Sequence, residues 1–73
     1  MSMTCSKEWT EFLSILADLI DSASLLRIYE HECNVHKDET SCDLYRHEED
    51  RYISLKYRLD ETVKSLLSCL RGR

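Results

Sequence analysis

Proline is absent, and the only glycine, Gly72, stands one place before the last residue. A β-protein needs turn residues every few positions, usually Gly, Pro, Asn or Asp. Here Asn34 and Asp38 mark one such place and a helix tolerates the rest, so strands joined by tight turns are excluded. With no internal glycine there is no phosphate-cradling loop and no dinucleotide fingerprint. No apolar run approaches the roughly 18 residues that a membrane span requires. Met1 to Trp9 lacks a basic start followed by an apolar stretch, so no secretory signal is seen and no membrane association is expected. Cations are in the minority: net charge is −4, which argues against general nucleic-acid binding.

What remains is a chain of 73 residues with 42% apolar side chains, enough for a small core. A chain this short is marginal alone and calls for disulfides, a metal or a second subunit. The fold class expected is all-α: an antiparallel two-helix hairpin that dimerises into a four-helix bundle. The whole chain, 1–73, forms one domain, with a helix over about 6–33, a loop over about 34–40 and a second helix over about 41–70.

Thr4 or Ser6 caps the first helix in this reading, and Glu8 complements its dipole. One apolar face follows from Trp9, Phe12, Leu13, Leu16, Leu19, Ile20, Ala23 and Leu26. Glu11, Ser14, Asp18 and Asp21 lie opposite. Asn34 closes the helix, and Thr40 with Asp43 forms a capping box for the next, with Asp38 the alternative cap. Tyr45, Tyr52, Leu55, Leu59, Val63, Leu66 and Leu70 share the apolar face of the second helix.

Pairing the helices antiparallel sets Cys5 level with Cys69, and Cys33 level with Cys42, in nearly one register. It also sets Leu16 beside Leu59 and Arg27 beside Glu48. Both charges interrupt apolar stripes, so a cross-helix ion pair between Arg27 and Glu48 is expected there. Leu25, Ile28, Tyr29, Ile53 and Tyr57 lie off the two stripes at similar heights and suggest a contact patch for another chain.

The four cysteines allow two nested disulfides by height. Twin-cysteine hairpins of the mitochondrial intermembrane space carry two cysteines ten positions apart on each helix, and this chain has one near each helix end. Free thiols in an intracellular, cytoplasmic setting are therefore expected. His31, Cys33, His36 and Cys42 are candidate zinc ligands by type, but their spacing matches no established pattern. No metal and no cofactor are expected. Cys–His pairs can be written down, but nothing supplies an oxyanion hole or a shaped pocket, so no catalytic residue is assigned and no enzyme is expected.

Acid is concentrated on the first helix. Glu8, Glu11, Asp18, Asp21, Glu30 and Glu32 face one base, Arg27, between Glu8 and Glu32. Glu11, Asp18 and Asp21 form a candidate acidic face for a basic partner or for imitation of nucleic acid. The hairpin architecture also resembles, in shape alone, plasmid RNA-binding regulators of the Rop type, although the basic residues of the second helix form no stripe. The reading from sequence is a small non-enzymatic regulator or adaptor that binds a protein partner as a homodimer. A nucleic-acid-binding regulator and a metal-stabilised interaction module are the alternatives.

Overall fold

The computed structural model describes residues 4–72, and two helices account for nearly all of them. Helix α1 spans Ser6–His36 and helix α2 spans Glu39–Arg71. They run antiparallel side by side as a hairpin with extents of 53 × 20 × 12 Å. Among the described residues there is no strand.

The connection is shorter than the loop expected over 34–40, because only Lys37 and Asp38 leave helical geometry. Asn34 continues α1. Lys37 takes the left-handed conformation (φ 56°), and its N–H donates to the Cys33 carbonyl at 2.8 Å. Asp38 then turns extended and caps α2, its Oδ1 accepting from the Ser41 N–H at 2.8 Å. The Thr40–Asp43 capping box does not form, since Thr40 already lies within α2 and Asp43 holds Arg46 at 3.1 Å. At the start of α1, neither Thr4 nor Ser6 caps. Cys5 is the left-handed N-cap residue without a side-chain bond, and the Ser6 carbonyl accepts from the Thr10 hydroxyl.

Hydrogen bonding from Ser41 holds the Asp38 carboxyl below the ordinary aspartate value of 3.8. A depressed carboxylate stabilises the fold above its unfolded pKa, and that contribution fades as pH falls through the folded value. The Ser41 amide resonance should therefore follow a single acid titration with a midpoint below 3.8. Asp38→Asn keeps the cap acceptor and should abolish that titration.

The four cysteines are not free thiols. Cys5 is joined to Cys69, and Cys33 to Cys42, with Cα–Cα distances of 6.1 and 4.6 Å. One cysteine near each helix end staples both ends of the hairpin, so the twin-cysteine spacing is not needed. The bridges set the expected register, but they also set which side of α1 faces α2. The line through Cys5, Phe12, Ile15, Leu19, Ser22, Leu26 and Cys33 points inward, in the alternating four-and-three steps of a coiled-coil seam.

Ile15 and Ser22 are the most buried residues of α1, at 5% and 0% exposure. Leu55, Leu66 and Glu48 are the buried residues of α2. Leu13 and Ile20, expected in the core, are 55% and 61% exposed. The reason is that the apolar arc of α1 is wider than one contact line, and the disulfides use its edge rather than its centre.

Candidate interaction surfaces

Glu48 faces the hairpin interior, where it accepts from the Ser22 hydroxyl. Arg51, one turn along α2, reaches Glu48 at 2.9 Å and Asp21 of α1 at 3.7 Å. The expected Arg27–Glu48 pair is therefore replaced by a chain running Ser22–Glu48–Arg51–Asp21. Arg27 is exposed and enters no ion pair among the described residues. The cause is the same rotation of α1: it brings Ser22 to the seam and turns Arg27 away.

This chain marks one flank of the hairpin as polar. A shallow groove on the same side is lined by Thr10, Glu11, Ser14, Ile15, Arg58 and Thr62. Of the acidic-face candidates, Asp21 is engaged with Arg51, while Glu11 and Asp18 remain exposed. On the opposite flank the Tyr45 hydroxyl donates to Glu30 at 3.2 Å. Partial burial, with help from that carboxylate, pushes the Tyr45 pKa up. Lys56 sits over the Tyr52 ring, 5.6 Å from its centroid.

The five apolar candidates do not form one patch. Ile53 and Tyr57 share a hollow with Lys56 and Asp60, lined by α2 alone, and Tyr57 is 73% exposed. Ile28 is exposed on α1, whereas Leu25 and Tyr29 are half-buried. At about 100° per residue, Leu25 falls on the polar flank of α1 and Tyr29, seven residues after Ser22, on the seam, both away from Ile53 and Tyr57.

The single apolar face expected for α1 divides into two stripes instead. Trp9, Leu13, Leu16, Ile20, Ala23 and Arg27 form an outward line on the Glu30–Tyr45 flank, again in four-and-three steps. Trp9 packs edge-on against Phe12, with ring centroids 6.0 Å apart. The signal that could have separated the two stripes lay in Cys5 and Cys33, which fall in phase on the inner one.

The zinc candidates are not assembled. Cys33 and Cys42 are bonded to each other, the His36 Nε2 lies 2.8 Å from Glu32, and His31 is exposed. At the other end Cys5, Glu8 and Cys69 do come together, but the two sulfurs are joined to each other. Among the described residues, no helix is long and apolar enough to cross a membrane. Comparison with protein-family models, curated proteins and solved structures finds no match to this chain.

Proposed function

We propose that this chain is a small non-enzymatic regulator or adaptor that acts by stoichiometric protein–protein binding as a homodimer. The observation that carries the reading is the exposure of Leu13 and Ile20 on one face of a thin rod. Two helices alone leave much of their apolar surface in water, and a four-helix arrangement covers it. The cytoplasmic placement expected from the sequence rested on the lack of a visible secretory signal. Two disulfides weigh against it and favour an oxidising compartment.

Affinity capture from the native source tests the binding role. Oxidised bait should retain a protein partner in fixed proportion to itself, and reduced, alkylated bait should lose it. Equal recovery on both baits, or no partner held in fixed proportion, contradicts the reading.

A further inference from the structure

We infer that the outward stripe of α1 is the dimer surface, and that its occupant is α1 of a second copy running antiparallel. This rests on the homodimeric reading above and specifies its face and orientation. The stripe is self-complementary when reversed. Placing Leu16 opposite Ile20 of the second copy brings Leu13 opposite Ala23, a large side chain against a small one. The same placement brings Trp9 opposite Arg27, and a guanidinium over an indole face is a favourable cation–π contact.

A twofold axis makes each of these contacts twice. Arg27 thereby gains a role: it is an exposed cation with no ion pair among the described residues, at one end of an apolar line whose other end is tryptophan. The corresponding flank of α2 is mixed, with Glu49, Lys56 and Asp60 among Val63 and Leu67, so α1 against α1 buries the more apolar surface.

The test has two arms on the full oxidised chain. In the first, sedimentation equilibrium compares the native chain with Ile20→Asp, Arg27→Ala and Ile53→Asp. Ile20→Asp should weaken the dimer on the order of 100-fold or more, since it places two carboxylates at the twofold without partners. Arg27→Ala should weaken it about tenfold, and Ile53→Asp should leave it within about twofold. In the second, a photo-crosslinking phenylalanine analogue replaces Leu13, in dimers mixed from light and heavy-isotope protomers. The inter-protomer link should fall in the peptide around Ala23.

A native chain that is monomeric sinks the homodimer and this surface together. A dimer that resists Ile20→Asp, or a Leu13 probe that links to the Val63 region of α2, overturns this surface while leaving the homodimer standing. Should Ile20→Asp fail to fold, the cross-link position decides alone.

Discussion

Reduction of the two disulfides should abolish cooperative melting of the isolated hairpin near room temperature. The Cys5–Cys69 bridge closes a separation of 64 residues and the Cys33–Cys42 bridge one of 9. On a chain-entropy estimate, opening the long loop costs about 4 kcal/mol and the short one about 2.5 kcal/mol. Their sum, about 6.5 kcal/mol, matches the whole stability of a small domain. The seam offers little to offset it, because among the described residues only Cys5, Ile15, Leu55 and Leu66 are buried apolar ones. Circular dichroism with and without reductant checks this, and Cys5→Ser and Cys33→Ser separate the bridges. The Cys5 variant should lose more. A reduced chain that melts at the temperature of the oxidised one would show that the helices hold together by packing alone.

Removal of the Ser22 hydroxyl should destabilise the hairpin through loss of a buried hydrogen bond between the helices. Ser22 is fully enclosed, and its hydroxyl donates to the buried carboxylate of Glu48. A hydrogen bond to a charged group contributes about 1.5–3 kcal/mol, and its loss leaves Glu48 with Arg51 as its remaining partner. Ser22→Ala should therefore cost about 1.5–3 kcal/mol. Pairing it with Glu48→Leu should recover much of that loss, because apolar groups can fill the seam without a charge to satisfy. Arg51 then still reaches Asp21 at the surface. A double-mutant cycle measured by chemical denaturation gives the coupling directly. Additive single effects would mean that the contact contributes nothing to stability.

The hairpin itself was legible because the absence of proline and internal glycine leaves two long uninterrupted segments around Asn34–Asp38. The register was legible for a related reason: cysteines near the helix ends act as markers of height. The facing of α1 was not. Its apolar residues cover so wide an arc that periodicity alone centres on Leu16, whereas the seam runs through Ile15 and Ser22. A serine is a poor sequence signal for a core position, yet here it is the one residue small enough and polar enough to hold Glu48 in the seam. From that rotation follow the misplaced Arg27 partner, the exposure of Leu13 and Ile20, and the second stripe. On α2, where the apolar arc is narrow, Leu55 and Leu66 were placed correctly, and only Leu70 proves exposed.

The proposed dimer of hairpins is tested most directly by its mass in solution. Sedimentation equilibrium of the oxidised chain at micromolar concentration should give twice the protomer mass of 8.7 kDa, with a melting temperature that rises with concentration. A single species of 8.7 kDa with concentration-independent melting would contradict it.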